Sequence, residues 1–204
     1  MKSMFKDALI LFLITLVAGL ALGYVYFITK EPIAKADAAA KEAAYKEVYK
    51  DASSFEHIDS FENMVNDSEW NNSGFSKVDV NDAFLAKDSN GDVLGYVLMI
   101  TTKEGFGGDI VFSMGIQKDG TMNGISILSI SETAGLGMKA DPVLKPQYAG
   151  KKVPSFTVTK LGSTSDSEID AISGATITSN ALTNGVNAGL YFYQTALGGG
   201  RYEG

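Results

Sequence analysis

The sequence predicts an α+β protein: one N-terminal transmembrane helix, then a domain with a twisted, mostly antiparallel sheet flanked by helices. Three observations predict it. Residues 8–29 carry no charge. Between residues 83 and 130, apolar runs alternate with tight-turn signals. Near the C-terminus, Leu182, Val186, Leu190, Tyr193 and Leu197 recur at helical spacing.

The uncharged run of 22 residues would make a helix of about 33 Å, against a hydrocarbon core of about 30 Å. Lys2, Lys6 and Lys30 bracket it, and Tyr24, Tyr26 and Phe27 stand at its far end, where an aromatic belt belongs. A cleaved signal peptide would have a shorter apolar region with a small-x-small site just beyond it. Tyr24-Val-Tyr-Phe-Ile28 offers no such site, and Ala36-Asp37-Ala38 lies far downstream. Residues 1–30 therefore read as a single-pass anchor in membrane lipid. Charge does not fix its orientation: Lys30, Lys35, Lys41, Lys46 and Lys50 outnumber Lys2 and Lys6, yet long domains translocate largely regardless of charge.

Pro32 to Lys50 is rich in alanine, lysine and glutamate, all good helix formers. Pro32 suits a first helical turn. Ile33, Ala40, Ala44, Val48 and Tyr45 mark one face. Residues 51–77 are polar, include the single Trp70, and suggest loops with a short helix near 60–66. Residues 31–77 read as a helical stalk and connecting segment that packs on the domain at 78–204.

Within that domain, Ala83-Phe-Leu-Ala-Lys87, a turn run containing Asn90-Gly91, and Val93 to Thr102 make a hairpin. Asp109 to Gln117 is the next strand, Lys118-Asp-Gly-Thr121 a tight turn, and Met122 to Ile130 a further strand. Consecutive hairpins imply an antiparallel sheet. Phe156-Thr-Val-Thr159 adds an edge strand after a helical or loop segment at 138–150.

Composition excludes several chemistries. Cysteine is absent, so disulfides, cysteine-ligated iron–sulfur clusters and thiol catalysis are out. The single His57 sits in a polar run, which argues against a histidine metal site or a Ser-His-Asp triad. Residues 31–204 hold 14 Lys/Arg against 23 Asp/Glu, a net charge of −9. Such a domain repels phosphate backbones, so nucleic acid is not a partner. No Rossmann fingerprint occurs. Gly105-Phe106-Gly107-Gly108 is not a phosphate loop, because a strand follows and Gly-Lys-Ser/Thr is missing.

The stretch that carries chemistry is Asp170-Ala-Ile-Ser-Gly-Ala-Thr-Ile-Thr-Ser179. A helix starting near Thr178 or Ser179 could be capped by either hydroxyl. Its N-terminus would favour an anion, so Thr176 lies where a phosphate can sit. Gly174 and Ala175 allow close backbone approach. On the residues alone, the run also reads as a turn leading into a capped helix.

Asp170-Ala-Ile-Ser173-Gly174-Ala175-Thr176 resembles the flavinylation motif of the FMN-binding domain family. The resemblance implies that Thr176 carries FMN covalently through a phosphoester, with Ser173, Gly174, Ala175, Ile177 and Thr178 around it. Glu132-Thr133-Ala134-Gly135-Leu136-Gly137 is similar to the family's Glu-Thr-Pro-Gly-Leu-Gly loop, which borders the isoalloxazine ring. Ala134 replaces the proline, so the loop would be less rigid. Thr133 would hydrogen-bond a ring edge and Leu136 would cover a ring face. Phe106 and Gly107 lie in a glycine-aromatic-glycine run like one near the family's flavin. By similarity of position, Lys160 would put a cation near the ring or the phosphate and favour reduced flavin. Asp170 would serve recognition by an FAD-dependent FMN transferase. No catalytic residue or metal is implied. Membership of the family would further imply an electron carrier working with membrane subunits of an Rnf-type ion-translocating complex, with its C-terminal domain outside the cytoplasm at the cell (inner) membrane. A flavin domain of another extracytoplasmic reductase and a non-redox membrane-anchored binding module are the alternatives.

Overall fold

The computed structural model describes residues 2–65, 74–199 and 202; Trp70 lies outside them. The chain divides into two compact units, Met1–Lys41 and Glu42–Gly204.

Helix α1 runs without a break from Lys2 to Val48. Pro32 sits inside it rather than opening a second helix. An internal proline costs a helix roughly 3 kcal/mol, and the Ala/Lys/Glu-rich sequence that follows sustains the helix past it. Among the described residues α1 is the one helix long and apolar enough to cross a membrane.

The second unit is built on a five-stranded antiparallel sheet: β1 (Ser54–His57), β2 (Val78–Lys87), β3 (Val93–Thr102), β4 (Ile110–Gln117) and β5 (Met122–Ser129), in that spatial order. A short helix α2 (Phe61–Val65) joins β1 to the segment before β2. Strand β1 falls where loops are expected. Of its four residues only Phe55 is even half-buried, so no apolar alternation announces it. Strand β2 also starts earlier than Ala83, because Val78 and Val80 are buried, and a register shift between Val80 and Asp82 interrupts their alternation.

After β5 come a 3₁₀ turn (Gly137–Lys139) and the short helices α3 (Ala140–Val143) and α4 (Lys145–Tyr148), the latter packed against β5. Strand β6 (Thr157–Thr159) does not extend the main sheet as expected. It pairs in parallel with β7 (Glu168–Asp170), in a separate two-stranded ladder. Helix α5 (Thr176–Thr195) closes the domain.

The sheet has apolar residues on both faces. On one, Leu182, Val186 and Leu190 of α5 join Leu98, Ile100, Phe112 and Met114 in a single buried cluster. Gly185 and Gly189 let α5 lie close to the strands: a Cβ at Gly185 would come within 2.8 Å of the Phe112 ring, and one at Gly189 within 2.6 Å of Ile100 and Met114. On the other face, Tyr45, Val48 and Tyr49 cluster with Ala86, Val97 and Met99. Of the stalk face expected from sequence, Ala44, Tyr45 and Val48 are buried, whereas Ile33 and Ala40 are exposed.

Polar contacts tie the last turn of α1 to this unit. Lys145 and the Ser126 hydroxyl both donate to the Glu47 carboxylate, and Ser113 donates to the Ala44 carbonyl. The bonds from Lys145 and Ser126 hold Glu47 below the usual carboxylate range. A carboxyl whose pKa is lowered by folding contributes stability above its unfolded pKa and loses it as the pH falls through the folded value. Thermal unfolding should therefore show a stability loss on acidification below the ordinary glutamate range, and Glu47→Gln should flatten that part of the pH profile. An unchanged profile in the variant would mean that other carboxylates set the acid limb.

Candidate functional site

The chain reaches α5 through a tight turn. The Ala175 N–H donates to the Ile172 carbonyl at 3.0 Å, and Gly174 takes φ +77° at the third position of the turn. That backbone conformation favours glycine. Helix α5 then begins at Thr176, two or three residues before the start expected from sequence, with Ala175 as its uncapped N-cap. Neither anticipated capping residue performs that role. The Ser179 hydroxyl accepts from the Ile172 N–H at 3.0 Å and donates to the Ala175 carbonyl at 2.9 Å. The Thr178 hydroxyl donates to Glu132 Oε2 at 2.8 Å. The first-turn N–H groups of Thr176, Ile177 and Thr178 thus have no side-chain cap, and a helix start leaves such donors available for an anion.

A second turn of the same kind shapes the facing loop. The Leu136 N–H donates to the Thr133 carbonyl, and Gly135 takes φ +77° between them. Ala134 occupies the second position, where proline would pre-set φ. The Gly105–Gly108 loop lies beside this turn, held by its Gly107 N–H, which donates to Glu132 Oε1 at 3.1 Å.

These segments enclose a cleft of about 360 Å³, within the range of small-molecule sites, lined by Phe106, Glu132, Thr133, Leu136, Gly137, Gly174, Ala175, Thr176, Ile177 and Thr178. The wall is largely apolar. Phe106 is 70%, Ile177 53% and Leu136 40% exposed, unusual values for large apolar side chains facing a concavity. The two threonines of the first turn differ. Thr178 is 1% exposed and committed to Glu132. Thr176 is half-buried on the cleft wall, and its hydroxyl has no hydrogen-bond partner among the described residues.

Most of the residues singled out from sequence thus meet at one place, although about 40 positions separate the 132–137 loop from α5. Ser173, Gly107 and Gly135 flank the cleft without lining it. Lys160 is exposed just after β6 and is not brought to the cleft wall. Asp170 ends β7, where its carboxylate accepts from the Ser163 N–H at 2.6 Å and from the Ser163 hydroxyl at 3.3 Å. Glu132 has a role that sequence reasoning missed: both of its oxygens are taken by protein donors. The available signal was the glycines at 105, 107 and 137, which leave room for that carboxylate and its backbone.

An apolar slot that opens on an uncapped helix start, with an unengaged hydroxyl at their junction, fits a planar ring that ends in a phosphate. Residues 105–191 match the family described as FMN-binding domain, and residues 1–48 match the RnfG N-terminal region. These matches make the C-terminal part an FMN-binding domain, preceded in the chain by an N-terminal apolar helix. The chain is 36% identical, over 95% of its length and 93% of the relative's, to the G subunit of the Na(+)-translocating ferredoxin:NAD(+) oxidoreductase complex of Acetobacterium woodii. It is 30% identical, over 90% and 88%, to the G subunit of the proton-translocating ferredoxin:NAD(+) oxidoreductase complex of Clostridium ljungdahlii. Among solved structures, NqrC of Shewanella oneidensis is similar at 22% identity and a TM-score of 0.49, covering 59% of this chain and 60% of that one. The chain belongs to the RnfG family, the G subunits of Rnf complexes.

Proposed function

We propose that this chain is the flavin-carrying electron-transfer subunit of an Rnf-type ion-translocating oxidoreductase complex, with FMN joined to Thr176 by a phosphoester. The observation that carries this reading is the contrast between two threonines in the first turn of α5. Thr178 is buried and its proton is given to Glu132; Thr176 faces the cleft with its hydroxyl unengaged.

In attachment, Thr176 Oγ1 forms the new O–P bond. The pyrophosphate P–O bond of a flavin adenine dinucleotide donor breaks, AMP leaves, and the hydroxyl proton passes to the FMN transferase. The N–H groups of the first turn of α5 then receive the phosphate charge. Phe106, Leu136 and Ile177 keep water from the ring, and the Thr133 hydroxyl can bond its polar edge. Bound FMN supplies the redox chemistry. Asp170 acts in recognition by the transferase, its carboxylate fixing the 163–168 loop next to the motif.

Residues 8–29 of α1 anchor the chain in the membrane, and the C-terminal unit lies outside the cytoplasm. Covalent attachment there prevents loss of cofactor to the medium. Protease added to intact cells, or to spheroplasts where an outer membrane is present, should digest residues 42–204. Digestion only after lysis would reverse the topology.

The direct test of the cofactor is to co-express the full chain with an FMN transferase. Peptide mapping should find FMN on Thr176, and the denatured protein should remain yellow. Flavin on Ser173 or Thr178, or none at all, refutes the assignment. Co-purification with membrane subunits of an Rnf complex distinguishes this function from service to another reductase.

Leu136 offers a finer test. Leu136→Ala should leave the flavin attached but uncover one face of the ring. Flavin fluorescence should rise. The one-electron midpoint potentials should move by some tens of millivolts, a part of the roughly 59 mV that corresponds to about 1.4 kcal/mol, because Leu136 would give the ring only partial cover. Unchanged values in a fully flavinylated variant would mean that the 132–137 loop does not touch the ring.

A further inference from the structure

Glu132 is 8% exposed and contributes to the cleft lining. Oε1 accepts from the Gly107 N–H at 3.1 Å and Oε2 from the Thr178 hydroxyl at 2.8 Å. Glycines from two loops surround it. A Cβ at Gly105 would stand 2.7 Å from Oε1, and one at Gly137 would stand 2.9 Å from Oε2 and 2.6 Å from the Thr178 hydroxyl. A Cβ at Gly107 would meet the Ser131 carbonyl oxygen at 2.0 Å. Gly137 makes room for Glu132 and Thr178, Gly107 for the Ser131–Glu132 backbone, and Gly105 for the Gly108 carbonyl oxygen, which a Cβ there would meet at 2.2 Å, as well as for Oε1, so ring approach alone does not explain them.

We propose that Glu132 is the positioning residue of the cleft: its carboxylate staples the glycine loop at 105–108 to the first turn of α5, and so fixes Phe106 on the cleft that Thr176 also lines. Glu132 makes no bond to the flavin in this scheme. It acts through the donors at Gly107 and Thr178. The inference rests on the proposed flavin function only for what occupies the cleft; the staple itself is a property of the protein.

The staple makes the two obvious substitutions behave differently. In Glu132→Gln, the side-chain carbonyl oxygen would still accept from Gly107, and the amide could donate to a Thr178 hydroxyl that has turned round to accept. Alanine would lose both links and leave two donors without partners. The experiment uses the full-length chain in detergent, produced without transferase and hence flavin-free, and measures amide hydrogen exchange at residues 105–108 and 176–178. Glu132→Ala should speed exchange at Gly107 by about tenfold or more, the factor expected for losing a hydrogen bond to a charged group. Glu132→Gln should restore slow exchange. Thr178→Val, which removes one donor and preserves the fold should Glu132→Ala not fold, should loosen the 105–108 loop in the same direction. Protection of Gly107 in Glu132→Ala or Thr178→Val equal to the unmutated chain overturns the proposal, as does exchange in Glu132→Gln as fast as in Glu132→Ala. A second arm uses flavinylated protein: Glu132→Ala should show higher flavin fluorescence and Glu132→Gln should not. Absence of flavin on Thr176 in the unmutated chain would refute the proposed function, while the exchange arm would still decide the role of Glu132.

Discussion

Thr176→Val should abolish covalent flavin completely and leave the fold intact. Valine keeps the branched shape of threonine and loses only the hydroxyl oxygen that is proposed to bond to phosphorus. Thr176 makes no side-chain hydrogen bond among the described residues, so no internal partner is orphaned. The stability change should be small, within about 0.5 kcal/mol, as for substitutions that touch no structural feature. Intact-mass measurement on protein co-expressed with the transferase, together with thermal unfolding, checks both halves. Flavin retained by the variant would move the attachment elsewhere. Loss of fold would show that Thr176 also has a structural duty.

Gly107→Ala should have the largest effect on stability and on cleft geometry. Its Cβ would lie 2.0 Å from the Ser131 carbonyl oxygen and 3.3 Å from Glu132 Cα, both backbone atoms that no rotamer change can move aside. The loop must lift, which breaks the bond from Gly107 to Glu132. Overpacking costs about 1–3 kcal/mol, and a hydrogen bond to a charged group is worth about 1.5–3 kcal/mol. A loss of about 2.5–6 kcal/mol in denaturant unfolding is expected from these two terms, with a rise in the fluorescence of any attached flavin as Phe106 swings away. A variant as stable as the unmutated chain would mean that the 105–108 loop is free to move without breaking anything.

Much of the domain could be read in the sequence because local rules and tertiary packing agree there. Asn90-Gly91 and Asp119-Gly120 lie at strand-connecting turns, and both glycines adopt φ +89°. The apolar spacing of Leu182, Val186 and Leu190 corresponds to the buried face of α5. What was not legible depends on contacts between distant parts. Strand β1 is held by its ladder with β2, without an apolar pattern of its own. Strand β6 looks the same in sequence whether it joins the large sheet or pairs with β7, and only its parallel ladder with β7, a contact between separate segments, decides between them. The start of α5 departs from expectation because hydroxyls at Thr178 and Ser179 suggest caps, yet both bond elsewhere. The motif residues around the cleft could be picked out one by one, but the sequence could not say that Glu132 looks inward or that Lys160 stays outside.

The open apolar mouth formed by Phe106, Ile177 and Leu136 has a consequence for the order of assembly. While the cleft is empty, the Thr176 hydroxyl is reachable and an apolar surface is exposed to water. A ring seated there as proposed would cover both the surface and its own acceptor, so loading would end itself after a single turnover per chain. Any neighbouring subunit that docks over the same mouth would shut out the transferase. Under the proposed function, maturation would have to come before any docking at that surface, and a chain docked there before loading would stay colourless.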